Sequence, residues 1–530
     1  MKHFNVTFRP DGRQVSVHAG ATLIEAAGQA GIILNSICGG KGTCGKCLVS
    51  IGPDAEQVLA CQYRVQTDIT VTIPQQSRFF EQKILAYGIE AEPIGPPDIF
   101  KKYLKIASSD KIFGLAVDIG TTTVVAKLID MTDGSCVATE SALNPQTRFG
   151  DDCISRISYA ETDEKLAELQ KVIIECINEL TAKLCSANSI DANRIYEMCI
   201  VGNTTMNHIF LKLPVKQLGQ APYKAFSVDA RDITGGQLPV QINPAGNIHT
   251  VENIAGFVGS DITAAAFAAN IDSAEEVTLL VDIGTNGEIV LGTKDKLYAA
   301  SCAAGPALEG ARISCGSRAQ EGAIEAVVIN DGDIDLDVIG GGRPRSICGS
   351  GLIDAVAVLL NLGIVDKTGR FVKAGKLSGK LPAKILSRIG EQAGQPAFCL
   401  FETAGTKQNK LLLTQKDIRE VQLAKGAIRA GIKLLQKKIG LGDSDIKHIF
   451  LAGAFGNYIR RENAIRIGLL PDIPTERIVF IGNAAASGAQ MLLPCSWARA
   501  LAKDLARKIE YIEIAKERDF TTVYTDSISF

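Results

Sequence analysis

The chain contains the run Phe113-Gly114-Leu115-Ala116-Val117-Asp118-Ile119-Gly120-Thr121-Thr122-Thr123-Val124-Val125-Ala126-Lys127-Leu128. Its pattern returns as Leu279-Leu280-Val281-Asp282-Ile283-Gly284-Thr285-Asn286-Gly287-Glu288-Ile289-Val290-Leu291-Gly292. Each copy is an apolar run that ends in aspartate, then a short polar turn, then a second apolar run, which is the pattern of a buried hairpin. Two copies predict two similar α/β lobes.

Each turn gathers backbone N–H groups, hydroxyls and a carboxylate, the chemistry that holds a nucleotide's phosphates and their magnesium. Asp118 and Asp282 end apolar strands, where a carboxylate is costly unless a cation or hydrogen bonds meet it. The favoured reading is that both hold magnesium and its waters and that one of them orients an attacking water. A structural cap on the turn is the alternative. Downstream, Ile449-Phe450-Leu451-Ala452-Gly453-Ala454-Phe455-Gly456-Asn457 predicts a buried strand running into a small-residue turn that an adenosine can approach closely. Two further segments are weaker candidates. Gly202-Asn203-Thr204-Thr205 opens a helix, so its amides either face a terminal phosphate or serve an ordinary cap; Gly349-Ser350-Gly351 carries the same ambiguity. Glu309 either meets a ribose or pairs with a base such as Arg312, and His208, beside Met206 and Phe210, reads as a packed core residue.

At the amino terminus the spacing Cys38-x5-Cys44-x2-Cys47-x13-Cys61 sets four cysteines apart from the other ten. Two short strands, residues 4–8 and 15–17, and a helical run capped by Thr22 precede it, and a strand at residues 48–51 follows. Four thiolates can ligate a 2Fe-2S cluster, and Gly39, Gly40, Gly42 and Gly45 let the loop turn sharply around it. A structural zinc site is the alternative, although zinc sites usually pair two C-x2-C knuckles and only Cys44 and Cys47 are so spaced. The scattered cysteines are expected to be reduced, buried and apolar.

Composition narrows the rest. The chain has 530 residues and a net charge of -2, with 46% apolar and 22% charged residues, so it is expected to fold nearly throughout and to present no basic field for nucleic acid or an anionic membrane. Its amino-terminal residues lack a signal-peptide core, and the longest apolar stretch, residues 351–365, is interrupted by Asp354 and Asn361, which points to a cytoplasmic protein. Pro93, Pro96 and Pro97 mark a linker with one helix near residues 78–88; the linker either swings or packs as a connector. The expected order is a ferredoxin-type domain (1–75), a linker (76–112), lobe I (113–278), lobe II (279–495) and a carboxy-terminal extension (496–530). Within lobe I, the stripe Leu166, Leu169, Ile173, Ile177, Leu180 and Leu184 is expected to be lobe core or a dimer face.

The first 75 residues or so resemble ferredoxins with a C-x5-C-x2-C loop, which implies a β-grasp-like 2Fe-2S domain. Their longer members place the fourth cysteine further downstream, so the resemblance implies a domain without the intervening helical elaboration, with Cys61 as the fourth ligand. Residues 113–495 are similar to the superfamily of acetate and sugar kinases, heat-shock chaperone ATPases and actin. That likeness implies two ribonuclease-H-like lobes clasping ATP and Mg2+. It matches Asp118 and Gly120, Thr121, Thr122 and Thr123 to the first phosphate turn, and Asp282, Gly284, Thr285 and Asn286 to the second. Gly453, Ala454, Phe455 and Gly456 match the adenosine turn, and small residues at 259–266 and 483–489 match the closely crossing helices. Together with Cys302-Ala303-Ala304-Gly305-Pro306, the whole resembles the reductive activators of corrinoid proteins. That resemblance implies ATP-dependent transfer of an electron from a 2Fe-2S cluster to the cob(II)alamin of a methyltransferase's corrinoid protein, an unidentified low-potential donor and a homodimer. Archaeal activators carry a carboxy-terminal multi-cysteine domain, whereas only Cys495 lies beyond residue 399 here. A small-molecule kinase with an appended redox sensor, and a redox-controlled nucleotide-binding protein without turnover, are the competing readings.

Overall fold

A computed structural model describes residues 2–530 apart from 11, 31, 33, 35–46, 53–54, 75–95, 107–110, 151, 311, 403–409 and 454–458. The amino-terminal domain has five strands, β1 (His3–Arg9), β2 (Arg13–His18), β3 (Leu48–Ile51), β4 (Glu56–Leu59) and β5 (Ile69–Thr72), in the order β2-β1-β5-β3-β4. β1 and β5 run parallel while the two hairpins are antiparallel, which is the β-grasp arrangement. Alternation puts Val6, Phe8, Val17, Val49 and Val71 inside, against Leu23, Ala26 and Ala27 of the Leu23–Gln29 helix. Thr22 starts that helix with reciprocal bonds to Glu25, the Thr22 N–H donating to Oε2 at 2.7 Å and the Glu25 N–H to Oγ1 at 3.2 Å.

The two hairpins become the centres of two six-stranded sheets. In lobe I, β6 (Phe113–Ile119), β7 (Thr123–Asp130) and β8 (Cys136–Leu143) are antiparallel, β9 (Ile195–Gly202) lies parallel to β6, and β11 (Asn247–Thr250) with β10 (Arg231–Thr234) completes the edge. Lobe II repeats this: β12 (Thr278–Ile283), β13 (Gly287–Thr293) and β14 (Lys296–Cys302) are antiparallel, and β21 (His448–Ala452) and β22 (Ile478–Gly482) continue in parallel beside β12. The Asp163–Asn188 helix buries Leu166, Leu169, Ile173, Ile177, Leu180 and Leu184 in the core of lobe I, so that stripe is core within this chain.

Of the two readings of the linker, residues 98–103 follow the packed connector: Ile99 and Tyr103 join the core that contains Ile129, Met131 and Leu493. Two features differ from the sequence reading. Residues 496–530 are woven into lobe II, where β23 (Ile509–Tyr511) pairs with β14 and the Phe520–Ile528 helix packs on the Gln415–Ile439 helix. Between β14 and β21 stand two small sheets, β16-β15-β17 (β15 Ala323–Asn330, β16 Asp333–Val338, β17 Ser346–Ile347) and β18-β19-β20 (β18 Ile389–Gln392, β19 Gln395–Glu402, β20 Lys410–Thr414). The expected helix near residues 78–88 lies outside the described residues.

The lobes are locked by the Ser260–Ala268 and Ala484–Leu492 helices. A Cβ on Gly488 would lie 2.1 Å from the Ala264 carbonyl oxygen, so only glycine permits this crossing. The second helix also packs on β6 and β9, joining a lobe II segment to lobe I.

Candidate functional site

Both polar turns open into one cleft of about 400 Å3. In the first, the Gly120 N–H donates to the Thr123 carbonyl at 3.0 Å, and a Cβ on Gly120 would come within 2.7 Å of that oxygen. In the second, the Gly284 N–H donates to the Asn286 carbonyl at 2.9 Å. The turns face one another across the lobes, with Thr122 Oγ1 and Thr285 Oγ1 3.5 Å apart. Three successive residues of the first turn are pinned from behind. Asn144 Nδ2 donates to the Gly120 carbonyl at 2.8 Å, buried Arg156 donates through Nη2 to Thr121 at 2.5 Å, and the Asn144 N–H donates to Thr122 at 2.8 Å.

Asp118 and Asp282 both line this cleft. Burial pushes the Asp118 carboxyl up to about 6, against a 2.8 Å hydrogen bond from Asn483 Nδ2. Asp282 rises to about 7 through burial and the charges of Asp118 and Glu309. Asp261 and Glu288 join them: burial, then Asp118 and Asp282, raise Asp261 to about 8, and burial with Asp261 and Asp282 lifts Glu288 well above the usual range. Glu288 sits directly across the β12–β13 ladder from Asp282. Glu309 accepts from Thr285 Oγ1 at 3.1 Å, and burial pushes its pKa up as well. Like charges this close disfavour joint ionisation until a proton or cation is shared, and oxygen donors of this kind suit a hard divalent cation such as Mg2+.

The weaker candidates divide. Asn203 lines the cleft, with Nδ2 donating to Thr121 Oγ1 at 2.9 Å while Oδ1 caps the Thr204–Phe210 helix by accepting from the Met206 N–H at 3.0 Å. Its neighbours turn inward, Gly202 N–H donating to Ser260 Oγ at 3.1 Å and Thr204 Oγ1 to the Ala255 carbonyl at 2.6 Å. Gly349 and Ser350 line the cleft. Gly351 backs onto β15, where a Cβ would stand 2.3 Å from the Ile324 carbonyl oxygen. Gly453 borders the cleft at φ +97, and a Cβ there would lie 2.9 Å from Asp282 Oδ1. Ala454, Phe455 and Gly456 lie outside the described residues. His208 is fully buried, its Nδ1 is 2.7 Å from the Thr204 carbonyl, and burial lowers its pKa to about 4, as suits a core histidine.

Sequence reasoning missed Asp261, Glu288, Asn483 and Arg318 as cleft residues. Glu288 had a local signal, since the hairpin register places it opposite Asp282. Asn483 had none, because its partner Asp118 is 365 positions away.

In the amino-terminal domain, β3 pairs Leu48 with Leu59, and the Ala60 N–H extends the ladder to the Cys47 carbonyl at 2.9 Å. Cys61 follows directly, so the ladder carries Cys47 and Cys61 to one end of the hairpin, both buried. Thiols placed this way suit a shared iron site. Cys38 and Cys44 lie outside the described residues.

Three family models match successive parts of the chain: a 2Fe-2S iron-sulfur cluster binding domain over residues 4–76, the RACo middle region over 113–274, and the C-terminal domain of RACo, the ASKHA domain, over 276–530. The corrinoid activation enzyme RamQ of Eubacterium limosum is 36% identical, covering 98% of this chain and 97% of its own. The [Co(II) methylated amine-specific corrinoid protein] reductase of Methanosarcina barkeri is 26% identical over 77% of this chain and 73% of its own. Among solved structures, a reductive activator for corrinoid, iron-sulfur protein aligns with a TM-score of 0.73 and 30% identity, covering 99% of this chain and 98% of that one.

Proposed function

This chain belongs to the RACo family, and from that premise we propose that it is an ATP-dependent reductive activator of a methyltransferase's corrinoid protein. It delivers one electron to cob(II)alamin, restoring the cob(I)alamin nucleophile, and hydrolyses ATP in doing so. The observation that carries this reading is the joining, in one chain, of a cysteine-bearing β-grasp domain to a two-lobed cleft lined by buried carboxylates.

Cys38, Cys44, Cys47 and Cys61 would hold a 2Fe-2S cluster, which when bound supplies a one-electron store at low potential. In the cleft, Gly120–Thr123 and Gly284–Asn286 would cradle the phosphates through backbone N–H groups and hydroxyls. Asp118 and Asp282 would hold Mg2+ and its waters from opposite lobes, and one of them orients the attacking water. Asn483 keeps the Asp118 side chain aimed into the cleft. Because the two aspartates come from different lobes, Asp118 and Asp282 would together bring residues of both lobes to one bound metal-nucleotide. A low-potential donor upstream and a homodimeric assembly belong to the same proposal.

The direct test mixes the purified, anaerobically reduced protein with a corrinoid protein in the cob(II) state and follows cobalt reduction spectroscopically, with and without ATP. Rapid loss of cob(II)alamin only with ATP supports the reading. Phosphorylation of a small molecule without cobalt reduction would replace it with a kinase.

A further inference from the structure

Resting on the nucleotide reading above, we propose that Arg318 is the guanidinium that meets the terminal phosphate of the bound nucleotide. The cleft is lined by the carboxylates of Asp118, Asp261, Asp282, Glu288 and Glu309, and among the described residues Arg318 is the only arginine or lysine that lines it. A triphosphate cannot settle among carboxylates without positive charge. A divalent ion held by the acids neutralises only part of the phosphate charge, and a guanidinium suits the remainder because its planar fork binds phosphate oxygens in pairs.

Arg318 is available for this. It is exposed, and among the described residues its guanidinium makes no hydrogen bond or ion pair. A buried structural arginine would be engaged, as Arg156 is with the Gly150 and Thr121 carbonyls. Its position is on the phosphate side. Arg318 lies close enough to Glu309 for its charge to act on that carboxyl; Glu309 accepts from Thr285 Oγ1 at 3.1 Å, and Thr285 faces Thr122 at 3.5 Å. Both phosphate turns are therefore within a short chain of contacts from the guanidinium. An exposed arginine beside this acidic cleft also gives an incoming polyanion its first favourable charge.

The test is calorimetric titration of the full chain with Mg2+ and either a non-hydrolysable ATP analogue, ADP or AMP, for wild type, Arg318→Gln and Arg318→Lys. A guanidinium on the terminal phosphate predicts that Arg318→Gln weakens the ATP analogue by about ten-fold or more, in line with a lost charged hydrogen bond. ADP should change by less than about three-fold and AMP not at all, with Arg318→Lys in between for the ATP analogue. Equal weakening of all three nucleotides would place Arg318 on the ribose or the first phosphate and overturn the proposal, as would unchanged affinity for the ATP analogue. Failure of wild type to bind any nucleotide would overturn the nucleotide reading itself, and this assignment with it.

Discussion

Asp282 and Glu288 face one another across an antiparallel pair, and Asp118 and Asp261 add two more carboxyls to the same buried space. Four acids so placed do not all ionise in the empty cleft at neutral pH. A carboxyl whose folded pKa exceeds its unfolded value contributes stability that is full below the unfolded value and lost as pH rises through the folded one. Asp261 moves from an ordinary 3.8 to about 8 and Asp282 to about 7. The magnesium-free protein should therefore lose stability as pH rises from about 4 to 8, and Asp261→Asn should flatten that decline. Melting temperatures against pH in the presence of a chelator measure it; parallel curves for the two proteins would show that Asp261 is not the titrating group. For turnover, Asp118→Ala and Asp282→Ala should each lower ATP hydrolysis at least about ten-fold, some 1.4 kcal/mol of transition-state stabilisation. Wild-type rates in both variants, with the corrinoid partner present, would make these turns structural. Arg318 escaped the sequence reading because it lies in no motif and only the folding of lobe II brings it to the cleft.

At the scale of elements, the duplicated hairpins, the β-grasp opening and the paired small-residue helices were legible because each leaves a local signature: alternation, an aspartate at a strand end, or glycine and alanine at a crossing. Gly488 shows how tight that crossing is, and Gly488→Val should cost roughly 1–3 kcal/mol through overpacking, read as a lowered denaturation midpoint. An unchanged midpoint would mean that the helices can separate freely. Less legible were contacts that join distant segments. Glu197 is fully buried on β9 and binds Tyr103 Oη at 2.5 Å, Lys102 Nζ at 2.5 Å and Arg499 Nη2 at 2.9 Å. Nothing in the local sequence announces this network, because its members come from the end of the linker, lobe I and the Ser496–Lys508 helix. The network explains why residues 98–103 are packed rather than free. Removing Arg499 takes one charged partner from a carboxylate that keeps Lys102, Tyr103 and Asn247, so Arg499→Ala should destabilise the body by about 1–3 kcal/mol. Chemical denaturation decides it, a loss under about 1 kcal/mol marking the network as dispensable.

Across the whole molecule, the four proposed cluster cysteines all precede residue 62 and the proposed phosphate turns all follow residue 113, so on the proposed function electron delivery and nucleotide chemistry would occupy different domains. The described contacts show where those domains meet: His3 Nε2 of β1 lies 2.6 Å from Asp337 Oδ1 of β16, which sets the ferredoxin-type domain against the small sheet of lobe II. That sheet had no counterpart in the sequence reading, since β15 to β20 carry neither a repeated motif nor a chemical cluster to flag them. The two functions should be separable by mutation and jointly required for activity. The most direct measurement follows cob(II)alamin loss on a corrinoid protein under limiting low-potential reductant, comparing the full-length wild type, Cys47→Ser and Asp282→Ala, each with and without ATP. Rapid reduction is predicted for wild type with ATP alone, with Cys47→Ser still binding nucleotide but failing to reduce cobalt and Asp282→Ala retaining the visible spectrum of its iron-sulfur centre but losing the ATP response. Reduction by Cys47→Ser at the wild-type rate would contradict delivery of the electron through the amino-terminal domain.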